Sequence, residues 1–276
     1  MTNTADPTDL ADVTLLEVTV DTGEFRRALA AVTVHAAKDA DRSHLHRIRC
    51  HIGPGLMFVT AADGYTAAAA RVQIIAADGT AAADVGHVDL SPADVGKILA
   101  VFHVGKRSDR EDIEMLLRIK VAVALHPAEE DGAPLVPAPY VHLTDVSGMI
   151  PGEALELPVL PADDHAPDVP RLLSRIIAAP AGVLDTFGLT PELIGRFTRA
   201  AKAYSTELLI SATYGGARPM LVVRAGQNFV GSVSPLSYPE DQQDKHRSWL
   251  EQWLDQLPPP LADPGPAPTP GAEAPE

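Results

Sequence analysis

Two stretches of this sequence open in the same way. SPADVGKILAVF (91–102) and LTPELIGRFTRAAKAY (189–204) each begin with a hydroxyl residue followed by proline, and each continues at helical spacing. Ser91 and Thr190 can cap the free amides of a first turn, and Pro92 and Pro191 fit there because a first-turn N–H has no partner to lose. Val95, Ile98, Leu99 and Phe102 form the buried stripe of the first helix; Leu193, Ile194, Phe197, Ala201 and Tyr204 share a face of the second. Strand-like runs follow each helix: EMLLRIKVAVAL (114–125), YVHLTD (140–145) and LELPVL (155–160) after the first, then ELLISATY (207–214), RPMLVVRA (218–225) and NFVGSVSP (228–235) after the second. A capped helix followed by strands, used twice, limits the chain to an α+β architecture built on an internal repeat.

Upstream of the first copy lie LLEVTV (15–20), a strand, and EFRRALAAVTVHAA (24–37), a helix with Phe25, Leu29, Val32 and Ala36 at helical spacing. LHRIRCHI (45–52) and LMFVTAA (56–62) read as strands joined by Gly53-Pro54-Gly55. YTAAAARVQII (65–75) follows across Asp63-Gly64, a hairpin signal whose two turn positions are expected at positive φ, and GHVDL (86–90) comes next. The first domain therefore spans 14–160, after a disordered acidic lead-in over 1–13. A second domain over 161–238 opens with a short helix, VPRLLSRIIA (169–178), and is a shortened copy that lacks most of the strands between its two helices. Residues 239–257 close the ordered part with an amphipathic helix carrying Trp249, Trp253 and Leu257 in a row, a stripe that either packs on the body or meets a partner. Eight of the last 19 residues (258–276) are proline, so that tail is read as disordered.

Of the 276 residues, 22 are Lys or Arg and 37 are Asp or Glu, a formal net charge of −15. Bulk attraction to nucleic acid or to an anionic membrane is thereby excluded, and any DNA contact must rest on grouped cations. Such grouping exists. The helical windows 22–38, 91–107, 170–178 and 190–203 hold eleven of the basic residues, Lys106 and Arg107 among them, against three acidic ones, on a fifth of the chain. Arg196, Arg199 and Lys202 lie three apart on the face away from Leu193 and Phe197, a cationic stripe. Helices of this kind around one lumen would hold duplex phosphates without reading sequence; ordinary solvated helix faces would carry the same charges. The single cysteine, Cys50, forms no internal disulfide, and the start carries neither the basic residues nor the apolar core of a signal peptide, so a cytoplasmic protein is expected.

Other signals are weaker. His44, His46 and Cys50 would share one strand face, with His51 on the other, so a metal site can be drawn; no second ligand cluster follows, and a polar strand edge explains the same residues. Asp63 reads as a turn-forming residue and not as a catalytic carboxylate. Phosphate-loop, metalloprotease and nucleophile-elbow motifs are missing, so the sequence points to no catalysis and no cofactor.

Three segments then carry a family resemblance. VTAADGYTAAA (59–69), with Ala61, Asp63, Gly64 and Ala68, resembles the ATDGxRLA stretch of the bacterial DNA polymerase III beta sliding clamps, the processivity factors of replication. SGMIPGEALELP (147–158) resembles that family's closing strand and keeps Gly148, Pro151 and Pro158; FGLTPELIGRFTRAA, ARPMLVV and NFVGSVSPL resemble its final helix and last strands. The resemblance covers roughly 15–238. It implies the sliding-clamp fold, one full clamp domain plus a shortened second one, with helices lining a DNA channel. The DNA-facing residues would be Arg26, Arg27, Lys97, Arg171, Arg175, Arg196, Arg199 and Lys202, on sequence-independent duplex.

The family also implies an outer pocket for Gln-Leu-hydrophobic peptides of a polymerase, clamp loader or repair protein. Its walls here would be Ala62, Gly64, Tyr65, Thr66, Ala67, Pro158, Val233, Ser234, Pro235 and Leu236, with Thr66, Ala67 and Ser234 standing where the family has Arg, Leu and Met. A homo-oligomer is expected, with no membrane partner. With one and a half domains instead of three, ring closure is open, and a peptide-binding or regulatory module that does not encircle DNA is the alternative. The run Gln256-Leu257-Pro258 resembles a clamp-binding peptide, which would let the tail occupy a pocket.

Overall fold

The computed structural model describes residues 13–78, 86–103, 115–126, 136–182, 187–214, 219–236 and 240–257. Residues 1–12 of the acidic lead-in, the proline-rich tail and Lys106-Arg107 lie outside these described residues. Two compact units divide the chain, Met1–Asp185 with Leu189–Pro235, and Thr186–Gly188 with Leu236–Glu276.

In the first unit β1 (Val13–Asp21) leads directly into α1 (Thr22–Val32), where the Asp21 carboxylate accepts the Glu24 amide at 2.6 Å. A single 3-10 turn, Thr33–His35, ends that helix. Then come β2 (Ile48–Ile52), β3 (Leu56–Ala62), β4 (Thr66–Asp78), β5 (His87–Leu90) and α2 (Pro92–Val101). Ser91 caps α2 as expected, its hydroxyl accepting the Asp94 amide at 3.0 Å. β6 (Leu116–His126), β7 (Val136–Asp145) and β8 (Ala154–Pro158) follow, then α3 (Val169–Ile177), α4 (Pro191–Tyr204), β9 (Leu208–Thr213), β10 (Met220–Ala225) and β11 (Phe229–Val233). Thr190 caps α4, accepting the Leu193 amide at 3.3 Å. The second unit carries α5 (Glu240–Gln256), in which the Trp249 and Trp253 rings meet edge to face at 5.9 Å and both remain about half exposed.

The strands are antiparallel and run in the order β5-β2-β3-β4-β1-β6-β7-β8, with β11, β10 and β9 branching off β4. β4 is the junction. Its first half, Thr66–Ala70, lies between β3 and β11, while Ile74–Asp78 pairs with β1. β9-β10-β11 follow α4 as β6-β7-β8 follow α2, and β11 closes back onto β4, within the same compact unit.

Alternation along β4 sorts the helices onto two faces. Ala68, Ala70 and Val72 enter the main core with Phe25, Leu29, Val32, Val95, Ile98, Leu193 and Phe197, so α1, α2 and α4 share one side. Ala67 and Ala69 face the other way, into a small cluster with Val169 and Leu173 of α3. Alanine on both faces lets helices approach the strand closely from both directions.

Two sequence expectations shift. The hairpin after β3 places only Gly64 at positive φ, +95°, because Asp63 stands before the turn and Gly64-Tyr65 occupy it. The buried line of α4 runs Leu193, Phe197, Ala200, where the helix meets α1 and β11; Ile194, expected inside, is 44% exposed.

Candidate nucleic-acid and peptide interfaces

The cations expected to face DNA do not form one set. On the side shared by α1, α2 and α4, Arg26 is tied down: its guanidinium donates to the carbonyl of Leu99 at 2.6 Å and to that of Phe102, closing the C-terminal end of α2. Burial draws that guanidinium below its ordinary value. Arg196 is also engaged. Its Nη1 lies 2.5 Å from the Asp63 carboxylate and donates to the Thr66 hydroxyl at 3.0 Å, so the first residue of the expected stripe is turned onto the hairpin. Arg27, Lys97, Arg199 and Lys202 are exposed, Lys97 reaching Asp94 at 2.8 Å.

Between the end of α1 and the start of α4 lies a cleft of about 510 Å³ lined by Lys38, His46, Glu192, Arg196 and Arg199, with Lys38 and Glu192 paired at 2.7 Å. Arg171 and Arg175 are exposed on α3, which packs on the opposite face of the sheet. Six of the eight expected cations thus share the α1/α2/α4 side, and four of those six are exposed.

The hairpin itself is held by Asp63, whose carboxylate accepts the amides of Tyr65 and Thr66 at 2.9 and 2.8 Å as well as the Arg196 guanidinium. Burial pushes this carboxyl upward, but Arg196 and the two amides outweigh it and hold it below the usual carboxylate range. Close by, His35 lies fully buried with its ring 4.8 Å from Phe197 and 6.0 Å from Phe229. Burial, with the Arg196 charge adding to it against Asp63, lowers His35 to about 3, so the imidazole is neutral. A second network joins β2 to β5: Arg47 and Arg49 both bind the Asp89 carboxylate, at 2.6 and 2.8 Å, and the 2.9 Å contact from Arg49 Nη2 makes the second pair bidentate.

The residues expected to wall a peptide pocket separate as well. Tyr65 is exposed at the hairpin tip, beside Gly64, and its carbonyl accepts the Ser234 amide at 3.1 Å, which joins the hairpin to the chain leaving β11. Ala62 and Ala67 lie under α3, whereas Val233 is wholly buried in the main core on the other face, and Thr66 is buried beside Arg196. Pro235 is buried; Pro158 is exposed at the end of β8, paired with Tyr140. Leu236, in the second unit, bridges to Gly188 there. Of the histidine and cysteine group, Cys50 is buried in the core and burial pushes its thiol up to about 12. His46 Nδ1 lies 2.7 Å from the Ala37 carbonyl, and among the described residues no three potential metal ligands come together.

A scan against family models finds no match, and neither does a search of the curated proteins. Solved structures do match. The DNA polymerase III beta subunit of Thermotoga maritima aligns with a TM-score of 0.51 at 14% identity, over 83% of this chain and 67% of that one. Subunit beta of DNA polymerase III from Borrelia burgdorferi, solved in complex with a natural product, aligns with a TM-score of 0.50 at 8% identity, over 85% of this chain and 67% of that one. The chain has a divergent sliding-clamp fold.

At such identities the likeness speaks for the fold alone. Within this clamp fold, the strongest polar features escaped the sequence. Asp63 and Arg196 are 133 residues apart, and no local spacing marks them as partners. His35 carried a faint signal, a polar residue next to the apolar Ala36 at the end of a helix. Among the described residues, no helix is long and apolar enough to cross a membrane.

Proposed function

We propose that this clamp-fold chain is a non-enzymatic tether on duplex DNA, holding it sequence-independently through the α1/α2/α4 side and engaging a polymerase, clamp loader or repair partner elsewhere. One observation carries the reading: three helices packed on one core leave Arg27, Lys97, Arg199 and Lys202 exposed on the same side of an otherwise acidic chain. Separate cations over one face suit phosphate contacts, which position a duplex without reading it. Arg26 and Arg196 then serve the scaffold, fixing α2 to α1 and α4 to the hairpin.

A second reading is favoured by the sheet. Among the described residues of the first unit, the stretch after β8 supplies only α3, α4 and three strands, and β11 pairs back onto β4, which suits a partner-binding module that never encircles DNA. Retention on DNA separates the two. A closed ring of two or more copies stays on circular plasmid after a salt wash and runs off once the plasmid is linearised, and light scattering finds the oligomer. A monomer that leaves circular and linear DNA alike overturns the tether.

A further inference from the structure

The cleft between the end of α1 and the start of α4, about 510 Å³, has the size of a site for a small organic ligand, roughly 300–1,000 Å³. Val34, Ala36, Ala37 and Pro92 give it an apolar wall, and Gly195 opens it on the α4 side. That glycine lies inside the helix, where it is a weaker helix former than alanine, and a Cβ added there would meet nothing within 4 Å. Packing therefore does not call for a glycine at 195. What the missing side chain leaves is room in the cleft.

The polar groups along this wall are of two kinds. Arg199, one turn beyond Gly195, and Lys38 are cations. Arg199 is exposed, and Lys38 is held by Glu192 in a pair whose side chains are 83% and 61% exposed, too open to water to resist a competing anion. Arg196 also borders the cleft but is committed to Asp63. His46 and Glu192 are acceptors. The His46 Nδ1 lies 2.7 Å from the Ala37 carbonyl; a carbonyl only accepts, so Nδ1 carries the proton and the neutral ring keeps Nε2 as an acceptor. An apolar wall flanked by acceptors and by mobile cations complements a nucleotide, whose base offers a flat apolar face and an edge amine and whose phosphate takes the cations. A simple anion would leave the acceptors unused.

We infer that this cleft receives one unpaired nucleotide of a DNA strand lying on the α1/α2/α4 side, with an amine-bearing base against the apolar wall and its phosphate on Lys38 and Arg199. This rests on the duplex reading proposed above. A paired base is held in its stack, whereas an unpaired one is extruded at the least cost, so the chain distinguishes interrupted from perfect duplex.

The test measures binding of the full-length chain to two labelled duplexes by fluorescence anisotropy, one fully paired and one carrying a single unpaired adenine. The interrupted duplex should bind about tenfold more tightly. Gly195→Leu fills the cleft with a better helix former; it should unfold at no lower temperature, bind the paired duplex as the unmodified chain does, and lose the preference. Equal binding of both duplexes by the unmodified chain, a preference that survives Gly195→Leu, or an unpaired thymine bound as tightly as adenine overturns the inference. Free deoxyadenosine monophosphate separates it from the duplex reading. If neither duplex binds but the mononucleotide does, and Gly195→Leu abolishes that binding, the nucleotide cleft stands and the tether falls; binding of neither DNA nor mononucleotide overturns both.

Discussion

Arg196 of α4 and Asp63 of the β3-β4 hairpin meet at 2.5 Å with side chains only 13% and 7% exposed. The pair pins α4 to the β3-β4 hairpin at the point where β11 joins β4. Removing one partner leaves a buried charge without compensation, so Arg196→Ala or Asp63→Asn should each cost about 3 kcal/mol of unfolding free energy. Urea denaturation measures it. The double variant Arg196→Ala with Asp63→Asn should lose less than the two single losses added, because no lone charge then remains; additive losses would mean that the two residues act independently.

DNA retention should respond to other positions. Since Arg196 is committed to Asp63, the exposed Arg199 and Lys202 are the ones to change. Arg199→Ala with Lys202→Ala should leave the thermal unfolding temperature unaltered and lower the slope of log K against log salt by about 1.8, about 0.9 for each phosphate left without its cation. An unchanged slope would move the duplex off this helix.

Much of the fold was legible because its signals are local. The caps at Ser91 and Thr190, the turn glycine at position 64 and the period of Phe25, Leu29 and Val32 each depend on neighbours within a few residues. The site was less so, for a physical reason. A polar helix face looks the same in sequence whether it meets water or a distant carboxylate, so Arg199 and Arg196 could not be told apart. Likewise the basic residues of α3 read like those of the other helices. Only the alternation of Ala67 and Ala68 into opposite faces of β4 shows that α3 stands on the far side of the sheet.

Acid should destabilise the protein early. His35 ordinarily titrates near 6.5 but is held at about 3 in the folded chain, so between those values the unfolded chain binds a proton that the folded one refuses. Stability therefore falls as pH drops through this window, by about 1.4 kcal/mol per pH unit where the difference is one full proton. Asp63 and Asp89, both held below the usual carboxylate range, add a further loss once pH falls below their unfolded values. Unfolding temperatures from pH 7 to 4 should drop for the native sequence and flatten in His35→Phe; an equal drop in that variant would place the acid sensitivity elsewhere.

Gly231 tests the seam between β11 and β4. It lies in β11 opposite Ala68 of β4, and a Cβ added there would come within 2.7 Å of the Phe197 ring and 2.9 Å of the Ala67 carbonyl. Turning the ring would disturb His35, tilted against it at 4.8 Å, and the carbonyl belongs to the sheet ladder. Gly231→Ala should therefore destabilise by about 1–3 kcal/mol through overpacking, although its backbone φ suits any residue. Hydrogen exchange should locate the damage, with amides of β11 and the first half of β4 losing protection before those of β6 and β7. Uniform loss across every strand would show that the branch at β4 unfolds only together with the rest of the sheet, as one cooperative body.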